Sequence, residues 1–384
     1  MGFGLRGVIV AYLLARMGLK PIVLEQGEEL LLREGKQKDK AFDYIHGEGG
    51  ISAYSGTLFS PNELNPALRN MLAEEGITFE GTEAHQYLPA ASIKSFVKKL
   101  HEVILSKGGE VLFRSRYVGL KRFFGKLKGV RYQYEGQEKL IRTAQVVFCN
   151  GEGDDELFLG CAIESSARLF NQFVYGKAIV DAKYPPYYAE SNFRPKGGRE
   201  AFLMTGLPKA SLLDVFSHAS LLGQVLEFNG KGKNAMSYVC VEVNMQEGSR
   251  LMQEGYVSGK PFTVPYSIIT DFFFRRESLK IGTVKPLNVS RILLTSMNRL
   301  LGPAVSPEVE RALRQFGKAF PYLLQEDGLI GGLVLLRGKK NAENLNISAK
   351  DTFFVSTGAR KSLDFSNLCN AAFDCALAVA EAVE

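Results

Sequence analysis

Gly2, Gly4 and Gly7 stand in the spacing G-x-G-x-x-G at the head of the chain, and Glu25 follows the last of them by about 18 residues. Glycines in this pattern let a backbone turn tightly and approach a diphosphate, whose charge the following helix N-terminus stabilises. A carboxylate about 20 residues further on accepts hydrogen bonds from the two hydroxyls of an adenosine ribose. The same carboxylate repels a 2′-phosphate, which selects FAD or NAD over NADP. Between them, Val8, Val10, Tyr12, Leu13 and Met17 suit a short buried helix that Gly18 ends. "KPIVLEQG" then supplies a buried strand with Glu25 at its carboxyl end. Turn, helix, glycine, strand and acid form the second half of a βαβ unit.

The first half is missing from the sequence as it stands, because only Met1 precedes the turn. Strand one is central in such a sheet, in the order 3-2-1-4-5, so its neighbours would lose their ladder partners. Two expectations follow. Either an apolar strand is encoded upstream and Met1 is a misplaced start, or the strand is lost and nucleotide binding is impaired.

The remaining elements read as an α/β chain in two parts. "GEELLLREGKQKDKAF" is charged and suits a helix with a surface loop. "HGEGGISAYSGTLFS", His46 to Ser60, is rich in Gly and Ser and too irregular for a regular element. It is either a surface loop or a backbone that runs along a flat cofactor. Ile93, Phe96, Val97, Leu100, Val103 and Ile104 mark an amphipathic helix over Ser92–Lys107. After it come the strand "EVLFRSR", a three-stranded meander ("YVGLKRFF", "LKGVRYQYEG", "EKLIRTA") and the buried strand "QVVFCNG" ending at Gly151. Residues 161–344 are rich in aromatic residues and short strands, including "NAMSYVCVEVNM" and a turn at "FNGKGKN". They are expected to form a second, α+β domain that covers the cofactor and builds the substrate pocket. There Ser306 and Pro307 suit the N-cap and first residue of a helix with Val309, Ala312, Leu313 and Phe316 as its apolar stripe. Residues 345–384 return to the first domain (1–160) with the strand "TFFVSTGA" and a small-residue helix bearing Ala371, Ala372, Cys375 and Ala376.

Composition excludes several classes. The 384 residues are 46% hydrophobic and 23% charged, with 47 basic and 41 acidic side chains, as in an ordinary globular protein. The basic run Arg114–Arg131 alternates with Val, Leu and Phe as a solvated β-face does, so no nucleic-acid partner is expected. Five scattered cysteines without C-x-x-C and four histidines suggest neither disulfides nor a metal centre. The apolar run Gly7–Ala15 lacks a cleavage site and is too short to span a membrane. A cytoplasmic, metal-free protein is the expectation.

The stretches "LARMGLKPIVLEQGEE", "HGEGGISAYSGTLFS", "NAMSYVCVEVNM", "SPEVERALRQFGKAFP" and "FVSTGA…NAAFDCALAVAEAV" together resemble the FAD-dependent dehydrogenases also called NAD(FAD)-utilising dehydrogenases. The resemblance implies a Rossmann-like FAD-binding domain of the glutathione-reductase type, with a central parallel sheet, a β-meander and a substrate or cap domain. It implies diphosphate contacts from Gly2, Gly4 and Gly7 and a ribose contact from Glu25. Gly47, Glu48, Gly49, Gly50 and Ser55 would line the cofactor, Val118 would lie by the adenine and Gly151 by the nucleotide. Gly358, Asn370 and Ala371 would lie by the isoalloxazine, with the closing helix directing its N-terminus at the pyrimidine ring. The implied activity is hydride transfer between a small organic substrate and the flavin, with NAD(P)H as an allowed electron donor. Glu48 and Tyr238 are the candidate proton donors, Glu48 equally well a carboxylate that satisfies loop amides. The chain departs from the family at its missing first strand, at "SGTL" in place of an Asp-Gly-Lys-like step, and at "MTGLPKA" in place of a Cys/Pro-Gly-Gly step. Ala359 and Arg360 follow Gly358 where the family carries a ribityl-binding acid. These departures motivate a second hypothesis, a degenerate non-catalytic scaffold; an NAD-only dehydrogenase is a third, which the meander disfavours.

Overall fold

The computed structural model describes residues 1–36, 46–59, 64–76, 80–82, 85–149, 156–166, 189–207, 210–217, 220–228, 234–254, 264–286, 292–338, 345–355 and 365–383. The chain divides into two compact units, Met1–Glu156 with Arg337–Glu384, and Leu157–Leu336.

In the first unit, helix α1 (Leu5–Arg16) is buried along its whole length from Leu5 to Ala15. It starts earlier than its apolar spacing indicates, directly at the glycine turn. Strand β1 (Ile22–Leu24) follows, then α2 (Leu30–Lys36), α3 (Ser52–Ser55), β2 (Thr57–Phe59), α4 (Pro66–Glu74), β3 (Glu80–Thr82) and β4 (His85–Leu88). The segment His46–Ser60 is thus not irregular throughout; it holds a one-turn helix and a strand that pairs antiparallel with β4. Helix α5 (Ala90–Ser106) buries Ile93, Phe96, Val97, Leu100 and Ile104, the stripe its periodicity predicts. Next come β5 (Glu110–Leu112), the meander β6 (Arg116–Phe123), β7 (Lys126–Tyr134) and β8 (Gln137–Ile141), and β9 (Val146–Phe148). The meander strands pair antiparallel, and their outer residues are solvated.

The parallel sheet is in two parts. β1 pairs parallel with β5 in one. In the other, β9 pairs parallel with β20 (Thr352–Val355), which pairs antiparallel with β19 (Leu345–Ala349). Helix α9 (Phe365–Val383) returns to pack on α1, and its buried residues include Ala371, Ala372, Cys375 and Ala376.

Arg122 ties the meander to the β19–β20 turn through a forked ion pair with Asp351, at 2.9 and 3.1 Å. Burial acts to raise the Asp351 carboxyl. The hydrogen bonds from Arg122, Leu127 N–H and Thr352 outweigh it and hold the group below the usual aspartate range. A depressed folded-state pKa gives stability above the unfolded pKa, about 4, that disappears as pH falls through the folded value. Urea unfolding of wild type and Asp351→Asn is therefore expected to differ at pH 7, with the difference shrinking as pH falls below about 4 and vanishing below the folded-state value.

The second unit is built on a seven-stranded sheet in the order β11 (Ala189–Phe193), β12 (Ala201–Leu207), β15 (Asn234–Glu242), β10 (Glu156–Ser166), β18 (Leu329–Gly338), β16 (Val264–Ile268) and β17 (Ile292–Leu294). Among the described residues the unit also holds the hairpin β13 (Ala210–Ser217) and β14 (Ser220–Phe228) and the helices α6 (Met245–Glu254) and α7 (Ile269–Phe273). Helix α8 (Met297–Gly317) buries Val305, Val309, Ala312, Leu313 and Phe316 in one core with Leu159, Cys161, Ile163, Leu203, Val239 and Val241. Ser306 is not its cap. Ser296 caps the helix, accepting from Arg299 N–H, while Ser306 is buried and accepts from Asn298 Nδ2 at 2.9 Å. Gly302, at φ +75°, breaks the helix, and Pro303 rather than Pro307 opens its second segment. Among the described residues, no helix is long and apolar enough to cross a membrane, and no three His, Cys, Asp or Glu side chains converge as a metal site.

Candidate nucleotide site

The three glycines of the opening turn do different work. Gly2 has φ +89°, a conformation that a side chain resists, and its N–H donates to Leu24 O at 2.9 Å. Gly7 lies against the turn itself: a Cβ there would fall inside the carbonyl of Gly2 and come 3.6 Å from Cys149 Cβ. Gly4 has an ordinary φ of −61° and open space beside it. A Cβ at Gly4 would meet only Gly50 Cα, at 4.0 Å. The first glycine thus serves the turn and the third the packing, while the second leaves a vacant approach to the backbone. That approach sits at the N-terminus of α1, which has no side-chain cap and no acid in its first turn. The positive end of the helix dipole at an N-terminus without a side-chain cap suits an anion.

Glu25 fixes the surrounding loops. Its Oε2 accepts from Phe3 N–H at 2.7 Å, and its Oε1 accepts from Gly27 N–H at 2.8 Å and Gly47 N–H at 2.9 Å. The carboxylate is buried, and three of its about four acceptor positions are occupied. One position remains for a further donor. The glycine-rich loop is held beside the turn by Gly49 N–H donating to Phe3 O at 2.9 Å. This loop is close-packed: a Cβ at Gly47 would come 2.6 Å from Arg33 Cδ, and one at Gly49 would come 2.9 Å from Ala53 Cβ.

Glu48 is committed to the scaffold. Its Oε2 accepts from Leu30 N–H at 2.7 Å at the start of α2, and its Oε1 lies 2.7 Å from His101 Nδ1. Its carbonyl accepts from Arg33 Nη1 at 2.5 Å. Both carboxylate oxygens are thus engaged, one by the first residue of α2 and one by a side chain of α5. Ser55 is buried and donates to Gly56 O at 3.0 Å. Val118 is 42% exposed on β6, at the start of the meander. Asn370 accepts from Asn65 N–H at 2.9 Å, so it anchors the start of α4, and its neighbour Ala371 is fully buried. Tyr238 lies in the other unit, buried on the face of the sheet that also carries Phe202, Met204 and the hydrogen-bonded pair Tyr266–Glu164. Gly151, Gly358 and the "FNGKGKN" turn residues 229–233 fall outside the described residues.

Three residues of this region escape a sequence reading. Arg33 belongs to the charged stretch read as a helix with a surface loop, and it is 2% exposed, with its guanidinium 4.8 Å from the Tyr54 ring centroid. His101 is on the amphipathic helix α5 and packs edge-on to Phe3 at 5.3 Å. Arg6 is buried in the first turn of α1; burial pulls its guanidinium down to about 10, against an opposing influence from Cys149. No periodicity separates these side chains from solvated ones, because their partners are distant in sequence.

No family model matches the chain. A curated protein of Clostridium beijerinckii, described only as uncharacterised, is 24% identical over 402 aligned residues, covering 90% of this chain and 74% of that one. Among solved structures, a geranylgeranyl bacteriochlorophyll reductase-like protein from Thermoplasma acidophilum aligns with 100% of this chain and 77% of its own at 14% identity and TM-score 0.42. PqsL, a probable FAD-dependent monooxygenase from Pseudomonas aeruginosa, aligns with 99% of this chain and 83% of its own at 13% identity and TM-score 0.37. The flavin-dependent brominase Bmp2 aligns with 100% of this chain and 78% of its own, at 10% identity and TM-score 0.43.

Proposed function

We propose that the unit Met1–Glu156 with Arg337–Glu384 binds FAD and that the protein is an FAD-dependent oxidoreductase acting on a small organic substrate. The observation that carries this reading is the vacant approach at Gly4, between a turn that needs Gly2 and a packing contact that needs Gly7. The diphosphate would lie at the uncapped N-terminus of α1, beside Gly49 and Gly50. Glu25 would accept from the adenosine ribose with its remaining acceptor position, and Val118 would border the adenine. A bound flavin supplies hydride chemistry at its N5 atom. The protein residues hold the cofactor: Glu25 staples the turn to the loop, and Glu48, Arg33 and His101 fix the loop from behind. Since both carboxylate oxygens of Glu48 are engaged, its role is to position the loop.

The test is direct. Purified protein incubated with FAD and desalted is expected to keep flavin visible absorption, and anaerobic dithionite is expected to bleach it reversibly. Protein that emerges colourless, with no flavin released on denaturation, sinks the oxidoreductase reading and leaves the non-catalytic scaffold.

A further inference from the structure

The hairpin that joins β6 to β7 closes on two residues, Phe124 and Gly125, between the paired Phe123 and Lys126. Both turn residues have positive φ, +49° and +75°. A two-residue hairpin turn with this pair of left-handed conformations is met with least strain by Asn or Asp before Gly. An aromatic residue at φ +49° is an outlier, held in place elsewhere by the packing of its side chain. Packing does not offset the strain here. Phe124 is 90% exposed and Phe123 62% exposed, and their rings meet edge-on with centroids 4.4 Å apart. The other turn of the meander shows what the same backbone takes when only the turn matters. Between β7 and β8 stand Glu135 and Gly136, at φ +50° and +78°, with Glu135 exposed. Turn geometry therefore does not call for Phe at position 124.

The charge around the tip has one sign. Lys121 and Arg122 precede the two rings and Lys126 and Lys128 follow them, all four exposed. From Arg114 to Tyr134 the chain carries seven basic residues and no acidic one. Asp351 reaches the hairpin from the β19–β20 turn, but it is taken up by Arg122 and by Leu127 N–H, and Lys350 beside it is exposed. Glu138, 3.4 Å from Arg131, lies toward the opposite end of the meander with Glu135. The base of the hairpin is fixed: Leu127, between two of the lysines, is buried in a core with Leu24, Val130 and Val146. Two apolar rings are thus held out into solvent on a rooted hairpin, collared by lysines.

We propose that this hairpin docks the protein on an anionic lipid bilayer, with Phe123 and Phe124 entering the interface and Lys121, Lys126 and Lys128 among acidic headgroups. Exposed aromatic surface gains free energy by leaving water, and lysines gain it from the negative surface potential of an anionic leaflet. Reversible membrane attachment becomes firm when an apolar and a basic signal act together, and here both sit on one turn. Lysines alone would equally attract a nucleic acid through its phosphates. The adjacent rings at a strained, projecting position select the bilayer, because its interface accepts a convex apolar tip without needing a matching pocket.

Sedimentation of the full chain with sucrose-loaded vesicles tests this without reference to any cofactor. The wild type is expected to bind phosphatidylcholine vesicles that contain phosphatidylserine, and to leave them as salt is raised. Phe124→Asn suits the turn, so its urea midpoint is expected to equal or exceed that of the wild type while vesicle affinity falls about 10-fold. Lys121→Gln combined with Lys126→Gln is expected to weaken binding about 5-fold per lysine and to flatten its salt dependence. Because the chain has no Trp, Phe124→Trp places a single fluorophore at the tip. Its emission is expected to move to the blue on vesicle addition and to be quenched by brominated acyl chains. A wild type that ignores these vesicles, or binds phosphatidylcholine alone equally well, overturns the proposal. So does a folded Phe124→Asn chain that binds undiminished, or a Trp emission that stays put. Binding to duplex DNA tighter than to vesicles, and unaffected by Phe124→Asn, also overturns it and gives the lysines to a nucleic acid.

Discussion

Gly4→Ala is expected to leave the fold nearly intact and to release the flavin, whereas Gly7→Ala is expected to damage the fold itself. At Gly4 the backbone is in a region open to any residue, and the added methyl meets nothing closer than 4.0 Å. The stability cost is that of alanine at an N-cap, about 1 kcal/mol or less. The methyl would nevertheless occupy the space through which a diphosphate reaches the N–H groups of α1. Losing two charge-assisted hydrogen bonds at about 1.5 kcal/mol each weakens FAD binding about 100-fold. At Gly7 the methyl has no room, because it collides with the Gly2 carbonyl that the turn has placed there. The intrinsic helical gain of alanine over glycine, about 1 kcal/mol, is exceeded by the displacement of α1 from the turn, for a net loss of about 2 kcal/mol or more. Urea unfolding and FAD titration of the two variants separate these effects. Equal FAD affinity for Gly4→Ala and wild type would remove the diphosphate from this site.

Glu25→Ala is expected to be among the most destabilising single changes in the first unit. The carboxylate accepts from Phe3, Gly27 and Gly47, three N–H groups from three separate loops, at a buried position. Deleting it leaves those donors without their acceptor, at about 1–3 kcal/mol each, so a loss of at least about 3 kcal/mol is expected in urea unfolding. Glu25→Gln keeps the volume but sets an amide N–H₂ against one side of this all-donor environment, and an intermediate loss is expected. A Glu25→Ala chain as stable as wild type would show that the loops hold together without their shared acceptor. In that case the carboxylate would be kept for a ligand alone.

Glu25 also marks the boundary between what was legible in the sequence and what was not. Its place at the end of a buried strand after a glycine turn follows from local pattern, as do α1, α5 and the meander. Each is encoded by a period of burial or by glycine, which act over a few residues. Two of its three amide partners are not encoded that way, since Phe3 and Gly47 each lie 22 residues away along the chain. The same holds for Arg33 and Glu48. One carries a charge that suggests solvent and the other a carboxylate that suggests chemistry, yet both are buried and hydrogen-bonded to backbone. The helix at Ser306 fails for a related reason. A Ser-Pro step signals a start, but Gly302 and Pro303 give an earlier one, and packing buries Ser306.

The sequence by itself determined the order of the elements, the glycine turn and the acid that follows it, because hydrophobic period and turn chemistry are local properties of the chain. Only the tertiary structure decided which glycine leaves room for a ligand, which carboxylate holds loops together, and where the parallel sheet divides. Those depend on atoms that come together only when distant segments pack.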